Sequence, residues 1–217
     1  MRHLRTSVTA VCATVLSAAV LVPATASAAP APAPGAGAGA FTTGVVWADG
    51  FEEPVVPAPQ PFTGHPAGGT VGAWTVGTGS VDLVSDRLWD AAEGRQSVDL
   101  SGNGPGSISR TVPTHPLTTY VVTYRLAGNS GRPPAVKTGE LRVDGAVVDD
   151  LTFDTTGRTP RAMGWEQRTV YFTTLLRTSA TLTFSSTTES NGGPVVDDVT
   201  VRSCLLVLCP YTTAAVP

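Results

Sequence analysis

The apolar positions of this chain recur with a period of two. Over residues 118–127, Tyr120, Val122, Tyr124 and Leu126 fall on one side and Val121, Thr123 and Arg125 on the other. Val170 and Phe172 alternate with Thr169, Tyr171 and Thr173, and Leu182 and Phe184 alternate with Thr181, Thr183 and Ser185. This pattern predicts half-buried strands, and the abundance of Thr and Val suits them. Further strands are predicted at 45–47, 73–76, 80–84, 97–100, 107–112, 140–143, 146–153 and 195–202. Turn residues separate them: Gly102-Asn103-Gly104-Pro105, Gly128-Asn129-Ser130-Gly131, Asp144-Gly145 and Asn191-Gly192-Gly193-Pro194. Asp144-Gly145 between two strands predicts a two-residue hairpin. No window carries a 3.6-residue period. Ten or so short strands with frequent turns predict an all-β fold, a two-sheet antiparallel β-sandwich or jelly roll.

The pattern changes at both ends. Arg2 and Arg5 precede an apolar run from Val8 to Val22, followed by Ala24-Thr25-Ala26-Ser27-Ala28. A basic start, an apolar run and an A-x-A site predict a secretory signal peptide over residues 1–28, and hence a secreted, extracellular protein. The run is short for a bilayer span, and no later stretch reaches 18 apolar residues, so no membrane span is expected after signal removal. Residues 29–40 read APAPAPGAGAGA, a Pro/Ala/Gly-rich linker. One domain is expected over 41–203 and a tail over 204–217. After cleavage Cys204 and Cys209 remain, a plausible disulfide in an oxidising compartment, with two free thiols as the alternative.

Charge narrows the function. Charged residues are 14% of the 217, and the net charge of -3 becomes -5 once Arg2 and Arg5 are removed. The basic residues are Arg, save Lys137. So few cations on an acidic chain give no footprint for nucleic acid.

Several segments together resemble the DUF642 domain and the related choice-of-anchor C proteins. They are Asp49-Gly50-Phe51-Glu52-Glu53-Pro54, Trp74-Thr75-Val76, Gly79-Ser80-Val81-Asp82-Leu83-Val84 and Ala91-Ala92-Glu93-Gly94-Arg95-Gln96-Ser97-Val98-Asp99-Leu100. Later come Leu126-Ala127-Gly128-Asn129, Phe153-Asp154-Thr155-Thr156-Gly157, Met163-Gly164-Trp165 and Gly193-Pro194-Val195-Val196-Asp197-Asp198-Val199. The resemblance spans essentially the whole domain. It implies a galactose-binding-like jelly roll, secreted and associated with cell walls and polysaccharides. Two features depart from the family: Asp49-Gly50 runs straight into Phe51, and no C-terminal sorting signal is recognisable.

Strict alternation through 195–202 puts Asp197 on one face with Val195, Val199 and Val201. If that face is the core, Asp197 points inward and needs a cation or several donors. Glu52 is its expected partner from the first strand, and the loop Glu93–Gln96 the expected source of carbonyls, a ligand set that suits structural Ca²⁺. Pairing with an Arg or capping of backbone N–H groups is the alternative. No His or Cys cluster points to zinc.

No catalytic residues are assigned. His65 and His115 both precede Pro, which places them in extended or turn segments and suggests surface loops. No G-x-S-x-G elbow is present. A jelly-roll glycosidase needs two carboxylates across a cleft; the only glutamates at strand-like positions are Glu140 and Glu166, and aromatics are few. The expectation is a non-catalytic module binding a polysaccharide or cell-wall component. The rival is a structural or protein-interaction module of the envelope. A solvent-exposed aromatic beside convergent polar groups separates the two. Trp165 and then Trp89 are the candidate platforms, with core packing competing for each. Arg110 shares a face with Ile108 and Val112, where an apolar residue is expected, so it either lines a groove or snorkels to a sheet edge.

Overall fold

The structure, a computed structural model, describes residues 44–204. The expected signal peptide, linker and most of the tail lie outside them. Fifteen strands form in chain order: β1 (Gly44–Asp49), β2 (Phe62–Pro66), β3 (Thr70–Val71), β4 (Trp74–Val76), β5 (Ser80–Ser85), β6 (Gln96–Asp99), β7 (Ser107–Pro113), β8 (Thr118–Gly128), β9 (Val136–Lys137), β10 (Gly139–Val143), β11 (Ala146–Asp150), β12 (Phe153–Asp154), β13 (Glu166–Thr174), β14 (Ser179–Ser186) and β15 (Pro194–Cys204). No helix occurs among the described residues. A seven-stranded antiparallel sheet runs β13-β8-β15-β6-β5-β2, with β1 also pairing β15. A six-stranded sheet runs β11-β10-β14-β7-β4-β3, and β9 and β12 form a small ribbon. The two large sheets face each other as a jelly-roll sandwich.

The alternation explains the core. Tyr120, Val122, Tyr124 and Leu126 of β8 are buried, as are Leu182 and Phe184 of β14. Phe184 meets Tyr124 at 5.0 Å and Trp74 at 5.7 Å between ring centroids, both edge to face. Trp74 also lies near Phe51, 5.8 Å away. Such pairs add stability beyond the area they bury. The Asp144-Gly145 hairpin forms as expected between β10 and β11, with φ of 50° and 85°. Positive φ at both positions is what a type I′ turn requires, and Asp-Gly supplies it cheaply.

Three strands escape the alternation. β3 and β9 have two residues each, and β2 reads Phe-Thr-Gly-His-Pro, a weak strand former by propensity. It holds because it pairs along its length with β5 at the sheet edge, where Pro66 is tolerated. The predicted strand over 146–153 ends at Asp150, and Phe153–Asp154 turns away to pair with β9.

The face assigned to Asp197 is corrected by a bulge. Strict alternation fails because the β15–β8 register shifts between Asp197 and Thr200, and Asp198 takes a φ of 48°. One extra residue in a strand reverses the facing of everything after it. Val196 pairs with buried Leu126 and Val201 with buried Val122, so both point inward. Asp197 pairs with Arg125 and Val195 with Ala127. Asp197 therefore sits on the outer face of the sheet, away from the core valines. It is nevertheless 0% exposed, because the segment leading into β6 covers it. At the end of β15, Cys204 is disulfide-bonded; Cys209, its expected partner, lies outside the described residues.

Candidate functional site

Two features occupy the outer face of the seven-stranded sheet: a carboxylate clamp around the β5–β6 connection, and a cleft across β2, β5 and β6.

The clamp gathers the residues expected to bind calcium. One oxygen of Asp197 accepts the N–H groups of Ala92 (2.8 Å) and Glu93 (3.0 Å); its other oxygen accepts that of Asp198 (2.7 Å). Glu52 accepts the N–H groups of Arg95 (2.8 Å) and Gln96 (2.9 Å) through Oε1. Gln96 ties the segment after β1 to β6: its Nε2 donates to the carbonyls of Phe51 and Pro54, and its Oε1 accepts from Val56 N–H. Gly94, at a φ of 58°, lets the loop turn between the carboxylates. Glu52, Glu93, Gln96 and Asp197 thus converge on one loop. What faces Glu52 and Asp197 there is N–H, the capping arrangement, and among the described residues no three His, Cys, Asp or Glu side chains lie together as an ion requires. Burial still pushes Asp197 up to about 7, with the N–H bonds lowering it and nearby Glu93 raising it further. Its negative charge is under-compensated where it stands.

The cleft encloses about 670 Å³. Its floor follows from cross-strand pairing. Gly64 of β2 lies beside Asp82 of β5, and Asp82 lies beside Asp99 of β6. Phe62 pairs with Val84, and Val84 with Ser97, one row along. A Cβ on Gly64 would approach Asp82 Oδ1 at 3.3 Å, so glycine keeps the floor open over the carboxylate. Phe62 stands at the edge with 44% of its surface exposed. Asn103, Asn129, Arg132 and Asn191 reach the cleft from the loops on the far side.

Asp99 is 1% exposed and held by Asn129 Nδ2 (2.8 Å) and the N–H groups of Ser101 and Gly193 (2.9 Å each). Desolvation outweighs these donors and pushes it up to about 7. Asp82 has no such donors. Desolvation alone pushes it up to about 6. Behind Asp99, Lys137 is 0% exposed and donates to the carbonyls of Arg132 (2.7 Å) and Gly192 (2.9 Å), tying two wall loops together. His65 lies in β2 rather than in a surface loop; it pairs with core Val81, so its side chain turns to the face opposite Phe62 and Gly64, where burial lowers its pKa and its Nε2 is buried without a partner.

The three residues expected to bind ligand are dispersed. Trp89 is 4% exposed and donates from Nε1 to Ser97 Oγ at 2.9 Å, so it packs under the cleft wall with its ring covered. Trp165 is half-buried, outside the cleft, with Nε1 bonded to the Asp90 carbonyl at 3.0 Å. Arg110 points between the sheets: its guanidinium lies 5.9 Å from the Trp47 ring and donates to the Ala73 carbonyl at 3.0 Å. Phe62, Asp82 and Asp99 escaped the sequence reading. The strand that carries Phe62 has no alternation to mark it. The two aspartates are outward-facing residues of ordinary strands, and only the pairing of β5 with β6 shows that they are neighbours.

Comparison with known proteins bears on the fold and family. The tandem CBM22-1–CBM22-2 domain of Paenibacillus barcinonensis Xyn10C superposes with a TM-score of 0.50 at 16% identity, over 76% of this chain and 47% of that one. The CBM22-1 xylan-binding domain of the same protein gives 0.47 at 16% identity, over 76% and 97%. A family 35 carbohydrate-binding module from Clostridium thermocellum gives 0.45 at 18%, over 64% and 97%. Halomucin of Haloquadratum walsbyi is 33% identical over 131 residues, which are 59% of this chain and 1% of Halomucin. The family profile described as "Protein of unknown function (DUF642)" matches residues 49–202, most of the described sandwich, and the chain belongs to that family.

Proposed function

We propose that this is an exported, non-catalytic module that binds polysaccharide in the cleft across β2, β5 and β6. One observation carries the reading: an exposed aromatic ring, Phe62, stands beside convergent polar groups, Asp82, Asn103, Asn129 and Arg132, around a cleft of about 670 Å³. A pyranose offers an apolar face to a ring and hydroxyls to carboxylates, amides and a guanidinium. An envelope module with no sugar site has no use for this combination. Retention on insoluble plant and microbial wall polysaccharides tests the reading, with reducing-sugar release measured alongside. Retention without release is expected, and Phe62→Ala should weaken it about tenfold or more, the loss of a stacking ring, at unchanged melting temperature. Release of sugar would make the module an enzyme. No retention by folded protein would favour the structural role.

Two further parts of the proposal rest on other residues. The basic, apolar and A-x-A succession supports export with cleavage after Ala28, and mass spectrometry of the secreted protein should find an N-terminus near Ala29. Two carboxylates held to one loop, Glu52 and Asp197, with Asp197 under-compensated, support a stabilising Ca²⁺ at the clamp, which would take over part of the role of the N–H groups. Chelation should then lower the melting temperature, and Asp197→Ala should lose that response. An unchanged melting curve would leave the clamp as backbone capping alone.

A further inference from the structure

The floor of the cleft carries charge of one sign. Asp82 and Asp99 lie directly opposite each other on β5 and β6. Like charges in that position destabilise a sheet, so the pair is a cost to the free protein. Asp99 is compensated by Asn129 and two N–H groups, with the Lys137 ammonium behind it. That ammonium is already bonded to two carbonyls and is fully buried. Asp82 makes no hydrogen bond to the protein's donors among those described, and an ionised carboxylate only accepts. His65 is held neutral by burial. The one cation at the rim is Arg132, which is exposed. The aspartates alone do not make the site; the cleft, the exposed Phe62 ring and the Asn103, Asn129 and Arg132 side chains around it do that, and the aspartates set what enters.

We infer that Asp82, set against Asp99, makes the cleft selective for uncharged, hydroxyl-rich glycans and closed to uronates and sulfated sugars. The inference rests on the proposed binding function and names its ligand class. A neutral sugar brings hydroxyl donors to an acceptor that has none. An anionic sugar brings a further negative charge to the acidic floor, half-buried at Asp82 and buried at Asp99, where repulsion is screened less than on an open surface once both are ionised. Rejection of the wrong ligand by like charge is a common route to specificity.

The test compares three neutral and acidic pairs by affinity electrophoresis at physiological salt and pH 8.5, where both aspartates are ionised: methyl-esterified and de-esterified polygalacturonate, arabinoxylan and glucuronoxylan, hydroxyethyl- and carboxymethyl-cellulose. The wild type should retard on the neutral member of a pair at least about tenfold more strongly than on the acidic one. Asp82→Asn should shrink that ratio. Asp150→Asn, which removes an exposed charge on β11, should not, since net charge alone is then not the cause. Relief of the like-charge pair should leave the melting temperature of Asp82→Asn at or above that of the wild type, which shows that the variant folds. Acidic glycan retained as well as neutral, with Phe62→Ala abolishing that retention, overturns the selectivity while leaving the binding function standing. An unchanged ratio in Asp82→Asn overturns it equally. No retention on any member, or retention indifferent to Phe62→Ala, overturns the binding function and this inference with it.

Discussion

Lys137 is the only lysine of the sequence, and composition alone suggests nothing for it. The structure buries it completely, an uncommon place for an ammonium. It is held there by two carbonyls, from Arg132 and Gly192, and by the charge of Asp99. Lys137→Met keeps the volume and leaves both carbonyls without a donor, so a loss of about 1–3 kcal/mol is expected in denaturant titration. The native amine should also resist acylating reagents until the protein unfolds, so labelling at Lys137 should track global unfolding. Labelling at the rate of a free lysine in native conditions would contradict the burial. Phe62 shows the opposite mismatch. Its neighbours in sequence, Pro61, Thr63 and Gly64, give no sign of an exposed platform, and only its position on the edge strand reveals one. Trp89 and Trp165 are large rings near turns. Each has spent its Nε1 on the protein, and Trp89 has lost its ring to packing.

At the scale of elements, long alternating strands were legible and short or irregular ones were not. β8 and β14 carry the period because one face of each meets the core along its whole length, and β13 carries it from Val170 to Thr174, where it does the same in part. β3, β9 and β12 are held by tertiary pairing over two residues, too few for any pattern. The bulge in β15 is the instructive failure. Val195 and Val196 are both buried, one under loops and one in the core, so hydrophobicity there cannot tell the faces apart. Asp198 is the residue that adopts the left-handed conformation, and Asp tolerates it better than most. Asp198→Val should cost about 1–2 kcal/mol, and Asp198→Gly little or nothing by comparison. Equal stability of the two variants would remove the bulge as the reason. The clamp beside it was legible in its members, Glu52, Glu93, Gln96 and Asp197, but not in its chemistry, since sequence cannot say whether a loop turns N–H or C=O toward a carboxylate. Asp197→Ala leaves the N–H groups of Ala92, Glu93 and Asp198 unpaired, a loss of about 2–3 kcal/mol.

Across the whole molecule, Asp82, Asp99 and Asp197 share the outer face of one sheet, and burial raises all three: to about 6, about 7 and about 7. In the unfolded chain each returns to an ordinary value of 3.8. Between pH 4 and 7 the folded state therefore binds more protons than the unfolded one. Stability then falls as pH rises, since its slope follows the protons bound by the unfolded state minus those bound by the folded. The stabilising contribution of each protonated aspartate is full below the unfolded value and is lost as pH passes the folded one. Asp86 and Asp154 are shifted the other way, downward from 3.8, by Arg95 and by Thr156. Their contributions fade only in more acidic solution, outside this window. His65, lowered from 6.5 by burial, opposes the trend within it, as one group against three. The melting temperature, measured with chelator present, is accordingly expected to be higher at pH 5 than at pH 8. Asp82→Asn and Asp99→Asn should each flatten the profile, because an amide does not titrate, and the double variant should flatten it less than additively, as neighbours that repel one another do. A profile that rises from pH 5 to pH 8 in the wild type would mean that the three carboxylates are better compensated than their burial implies.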